Sequence, residues 1–261
     1  MAGRTRAAAE AEDHYRRMWA LRQMSQTQLR ALLVSDPATA APWIESAARY
    51  GLAEAQLRLG QLRLDAGDSG SALAWFERAA AQGSAEASNM VGRCLEHGWG
   101  AGVDLAAAAD RYQRAAEAGS AWGEYNLANL RFDGRGVVQD RAAACAGYRR
   151  AAGQGHARAM NLLARACEEG WGVARDPAAA RDWYRRSAEA GYFRAQYNHA
   201  ALLAAEGAVA AAAAWFERAL RGAPPESRPS LAAALARHPE PRLAALARRR
   251  AAPADVACGV R

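Results

Sequence analysis

Between residues 168 and 193 the chain reads EEGWGVARDPAAARDWYRRSAEAGYF, with two glycines and a tryptophan just ahead of a helical stretch. Glycines leading into a helix N-terminus could cradle a phosphate, because free backbone N–H groups point outward there. Other recognition chemistry is available in amides, phenols and guanidinium groups. Asn89, Tyr125, Asn161 and Tyr197 recur at one position of a repeating segment, and Arg93, Asn129 and Arg165 recur one turn later. Such a ladder could bind an extended peptide backbone or a carboxylate. It could equally hydrogen-bond one helix to the next, and asparagine is otherwise a poor mid-helix residue. Trp99 and Trp171 sit inside glycine loops, with Arg135 at the matching place between them. Loop tryptophans either serve an interface or pack on their own joint.

Several chemistries are excluded. The chain has no lysine, so all 34 basic residues are arginine. That removes a Walker A loop, a Schiff-base nucleophile and the Ser-x-x-Lys signature of penicillin-binding enzymes. The histidines at 14, 97, 156, 199 and 238 are not spaced as a metal set. His156 and Tyr192 stand where Ser84 and Ser120 open a helix, and His199 replaces an aliphatic residue (Leu59, Val91, Leu127, Leu163). No Ser-His-Asp or Cys-His arrangement is readable. No catalytic residue, cofactor site or metal site is therefore expected.

The elements that position these residues emerge from a period. Gly98, Gly134 and Gly170 lie 36 residues apart, and so do Gly100, Gly136 and Gly172. Asp104, Asp140 and Asp176, then Tyr112, Tyr148 and Tyr184, keep the same step. A fixed period of this size marks a solenoid of helix pairs. Helix A of each unit, such as AEASNMVGRCLEHG (85–98), ends in the Gly-x-Gly loop, where glycine supplies positive φ. An aspartate then caps helix B, with Pro177 at its favoured first-turn place. In helix B, Ala180, Trp183, Tyr184 and Ser187 form the stripe expected to be buried. The glycine element thus reads as a joint made three times, without the full nucleotide fingerprint.

The pattern A-x-x-x-x-(L/V)-(G/A), then G-x-G-V, D-x-x-x-A, an aromatic pair and A-A-E-x-G resembles the Sel-1-like repeat, a branch of the tetratricopeptide-type repeats. The resemblance covers residues 53–222 as five units: 53–84, 85–120, 121–156, 157–192 and 193–222. The first and last lack the Gly-x-Gly insertion. It implies an all-α solenoid of antiparallel helix pairs in a right-handed superhelix that holds partner proteins, with no catalysis. Residues 1–52 read as an N-terminal helical cap, with a Ser-x-x-Gln capping box at Ser25 and a degenerate half-repeat starting at Asp36-Pro37. Residues 223–261 read as two capping helices and a frayed tail.

Composition fits this scheme. Half the chain is hydrophobic, aromatics are 8% and alanine dominates, which suits closely packed helices. The net charge of +7 invites a nucleic-acid reading, but the arginines spread along every segment rather than forming one patch. Cys94, Cys145, Cys167 and Cys258 form no C-x-x-C pair, which points to a reduced, cytoplasmic location. No stretch is apolar enough to span a membrane, and the N-terminus lacks the apolar core of a secretory signal. The expected function is a non-enzymatic bacterial scaffold, favoured as a monomer, that binds a protein or peptide on its concave face. The alternatives are a nucleic-acid-associated protein using the arginine excess and, behind it, a hydrolase of cell-wall compounds.

Overall fold

The computed structural model describes residues 2–25, 27–28, 31 and 37–251. Fourteen helices and no strand occur among them. They fall into two compact units, residues 1–139 and 140–261, each described by itself.

The first unit holds α1 (Ala2–Gln23), α2 (Pro37–Tyr50), α3 (Ala53–Asp65), α4 (Ser69–Ala81), α5 (Ala85–His97), α6 (Leu105–Glu117) and α7 (Ala121–Asp133). Each of these from α3 onward packs on its neighbours in chain order, as α2 does on α1 and α3. The capping box forms as read: the Ser25 amide donates to Gln28 Oε1 at 2.8 Å and the Gln28 amide to Ser25 Oγ at 3.2 Å. Most of the helix it was expected to open, and Asp36, lie outside the described residues. The inner side of α1 and α2 is a core of Met18, Leu21, Ala40 and Ile44, continued by Ala55 and Leu59 of α3.

The second unit holds α8 (Arg141–Gly153), α9 (Ala157–Glu169), α10 (Pro177–Glu189), α11 (Phe193–Ala205), α12 (Val209–Gly222), α13 (Arg228–Ala236) and α14 (Pro241–Ala251). The last two helices close its end: Leu235 and Leu243 are fully buried against Phe216 and Leu220 of α12. Cys258 and the expected frayed tail lie outside the described residues.

The recurring aromatic of helix B explains the small residues of helix A. A Cβ at Gly60 would fall 2.5 Å from the Phe76 ring, and one at Gly92 would fall 2.6 Å from the Tyr112 ring. Phe76, Tyr112, Tyr148, Tyr184 and Phe216 are all buried. Trp183 differs from its expected place. Ala180, Tyr184 and Ser187 are buried, but Trp183 is only half-buried, with the Arg186 guanidinium 5.0 Å over its ring. The stripe of α10 is thus narrower than its spacing implied.

Helix ends follow the chain chemistry. The Asp104, Asp140 and Asp176 carboxylates accept from the amides of Ala107, Ala143 and Ala179 at 2.8–2.9 Å. Gly98, Gly134 and Gly170 end α5, α7 and α9 in the left-handed conformation. The second loop glycine is required for a further reason. A Cβ on Gly136 (φ +69) would fall 2.5 Å from the Leu105 backbone, and one on Gly100 or Gly172 would strike the Ser69 or Arg141 carbonyl. Each loop therefore seats bare backbone on the first residue of the preceding helix B.

Candidate functional site

In the first unit, α3, α5 and α7 place residues of equal register side by side: Glu54, Glu86 and Trp122; Leu57, Asn89 and Tyr125; Arg58, Met90 and Asn126; Gln61, Arg93 and Asn129. A groove of about 680 Å³ lies on this face. Its lining is Glu54, Leu57, Arg58 and Gln61 from α3, Glu86, Asn89, Met90 and Arg93 from α5, and Trp122 from α7. Trp122 keeps 45% of its surface exposed, and its ring meets Tyr125 edge-on at 5.9 Å.

The two columns singled out in sequence have mixed fates. Asn89 is buried and its Oδ1 accepts from Asn126 Nδ2 at 2.8 Å; in the second unit Asn161 is buried and accepts from Asn198 Nδ2 at 3.0 Å. These amides join successive A helices, so the asparagine rungs serve the scaffold, although Asn89 still floors the groove. Tyr197 packs against Phe216, centroids 5.0 Å apart, at the edge of a core cluster. Tyr125 and Asn129 are half-buried.

The arginines and the loop tryptophans, read separately in sequence, prove to be partners. Arg93 lies 5.1 Å over the Trp99 ring, and Arg165 lies 5.1 Å over Trp171. Both Trp99 and Trp171 are half-buried, and the His97 ring stands 4.8 Å from Trp99. Each pair staples the end of helix A to its own loop. At the matching place Arg135 donates to Glu96 at 3.0 Å. Glu96 also accepts from the buried Tyr112 hydroxyl at 2.7 Å, as Glu168 does from Tyr184. Burial and the carboxylate together raise both phenol pKa values.

Sequence reading missed the groove residues Glu54, Leu57, Arg58, Gln61, Glu86, Met90 and Trp122. Their signal was present: Leu57 and Gln61 fall in the singled-out columns themselves, and the others lie one or three residues from a column position on the same helix face. It also missed the Tyr–Glu pairs. Those were legible in part as a swap, since Phe76 and Phe216, which need no acceptor, stand opposite Leu64 and Ala204, although Tyr148 stands opposite Phe132.

The second unit has a smaller cavity of about 370 Å³ between α10 and α11, lined by Ala178, Arg181, Asp182 and Arg185 and by His199, Leu202, Leu203 and Glu206. It opens at the joint where α11 carries no Gly-x-Gly loop to reach back over α10. His199, in the aliphatic slot, is buried with Nδ1 unbonded, and burial with Arg185 and Arg181 lowers its pKa. Arg181 pairs with Glu206, and Arg185 with Asp182 and Glu189, so the charges here are already satisfied. Among the described residues no group of three His, Cys, Asp or Glu could hold a metal ion, and no helix is long and apolar enough to cross a membrane. Cys94, Cys145 and Cys167 are buried and free, and burial pushes the Cys94 thiol up to about 11.

Comparison with known proteins agrees with this geometry. The Sel1 repeat model matches residues 53–84, 85–120, 123–156 and 157–192, more than half of the chain. The chain belongs to the Sel1 repeat family, whose members are generally protein-interaction scaffolds. Its fold is similar to that of a Sel1 repeat protein from Oxalobacter formigenes, at 27% identity and TM-score 0.64, over 69% of this chain and 75% of that one. It is also similar to a protective antigen present in uropathogenic Escherichia coli strains, at 28% identity and TM-score 0.63, over 77% of this chain. The match spans only 44% of the length of that antigen. A search of curated proteins found no match.

Proposed function

We propose that the protein is a non-enzymatic scaffold that holds a peptide or protein segment on the face formed by its A helices. The observation that carries this reading is the groove of the first unit, where half-exposed Trp122 stands beside Met90, Leu57 and the charged groups of Glu54, Arg58 and Glu86. Exposed aromatics flanked by polar side chains are enriched at binding surfaces. The surface is built on packed helices, so binding costs little ordering on the protein's side. The test is a comparative pull-down with mass spectrometry, wild type against Trp122→Ala. The variant is expected to keep its fold, because the ring is not in the core, and to lose one defined set of partners. Equal recovery of every partner by a folded variant would move the site away from this groove.

A further inference from the structure

Resting on that reading, we propose that the groove selects a segment carrying a basic and an acidic side chain about three residues apart, with an apolar side chain between them. Four of its lining residues are charged, Glu54 and Glu86 at one end, Arg58 in the middle at the register of Met90, and Arg93 at the other end, and none of the four forms an ion pair. Elsewhere in the same unit some exposed charges are paired, Glu45 with Arg49 and Arg63 and Arg114 with Asp110, while others such as exposed Glu77 and Asp133 form no ion pair. What sets the four apart is that they gather around one groove. The groove charges are thus left open inside a concavity.

Their arrangement is ordered. Glu54 and Glu86 occupy the same register in the first turns of α3 and α5. The helix dipole favours acid there, but it does not dictate this position. In α7 it is Trp122, and in α9 and α11 it is Arg158 and Arg194, against the dipole. Arg93 lies seven residues beyond Glu86 on α5, about 10 Å along the axis. It is held by soft contacts, the Trp99 face and Met90 Sδ at 3.6 Å, which leave the guanidinium able to accept a carboxylate. Between the Glu54–Glu86 pair and Arg93 lies a floor of Leu57 and Met90, flanked by Arg58 on α3 and Trp122 on α7. In the polyproline II conformation a chain advances about 9 Å in three residues and, with about three residues per turn, points the side chains at its first and fourth positions the same way. A ligand with both charges at that spacing therefore meets Glu54–Glu86 with its basic end and Arg93 with its acidic end, while one apolar side chain covers Met90.

A phage-displayed library of random heptapeptides selected on the full chain tests this, followed by fluorescence anisotropy of the enriched peptide. The expected consensus has a basic and an acidic residue about three positions apart, in either order, around an apolar one. The double variant Glu54→Gln with Glu86→Gln, and separately Arg93→Gln, are each expected to weaken that peptide about fivefold, with the loss shrinking as salt rises. Thermal melts confirm that these variants fold. If the consensus lacks either charge, or both charge variants bind as wild type while Trp122→Ala abolishes binding, this proposal fails and the groove reading stands. If no peptide is enriched, or binding is indifferent to Trp122→Ala, the groove reading fails and this proposal with it.

Discussion

His156 occupies a slot that serine fills at positions 84 and 120, and it caps α9 by accepting the Ala159 amide on Nδ1 at 3.2 Å. That bond needs the neutral ring. Burial, with Arg158 nearby, lowers its pKa to about 4 from the usual 6.5. Below pH 6.5 the unfolded chain takes up this proton and the folded chain does not, so stability is lost as pH falls from about 6.5 to about 4. The full loss amounts to about 3 kcal/mol. His199, also lowered, acts in the same direction. Urea titrations across that range are expected to show this slope in the wild type and a smaller one in His156→Ser. Replacing His199 by Leu, the residue of the same slot in three other repeats, is expected to stabilise the protein by about 1 kcal/mol. It removes a buried unbonded nitrogen from an otherwise apolar position. A higher denaturation midpoint with unchanged urea dependence is the sign to look for.

The joint between helices was legible because backbone chemistry leaves few alternatives. Positive φ wants glycine and a helix start wants an aspartate, so Gly98 and Asp104 announced themselves by type as well as by period. Side chains whose role depends on a neighbour's position were harder to read. Nothing in the local sequence of Asn89 tells that its amide is claimed by Asn126, or that Arg93 lies on Trp99 rather than in solvent. The same limit hid the groove: Trp122 and Met90 look like ordinary apolar positions until the helices are set side by side. The joint itself yields a sharp expectation. Gly136→Val forces a β-branched residue to φ +69 and drives its Cβ into the Leu105 backbone. A loss of at least about 2 kcal/mol is expected in chemical denaturation. Gly153→Ala, a helical site with open space around its Cβ, should be neutral or slightly stabilising by comparison.

A stack of helix pairs distributes stability through its neighbours, since each repeat contacts mainly the next. In the first unit Tyr112 is the clearest linchpin: it is fully buried, its ring lies on Gly92 of α5, and α6 also packs on α7. Tyr112→Ala is expected to cost about 3–5 kcal/mol. Hydrogen exchange should show faster amides in α5 and α7 as well as α6, with α1 far less affected. Acceleration confined to α6 would mean that the repeats are energetically independent.

The glycine joint also bears on how such a chain grows. Gly100 meets Ser69, Gly136 meets Leu105 and Gly172 meets Arg141, and in every case the two partners are 31 residues apart. The separation is shorter than the 36-residue period, so a tandem copy of one period carries the matching contact with it, whichever residue the copied block starts from. Lengthening by whole periods is therefore tolerant of where the genetic break falls. A copied block of 32 residues, the length of the loopless first repeat, would bring no such loop and leave the preceding helix start uncovered, as α11 leaves α10. The seat of bare backbone on helix is inherited in any frame, but only by blocks of the full period.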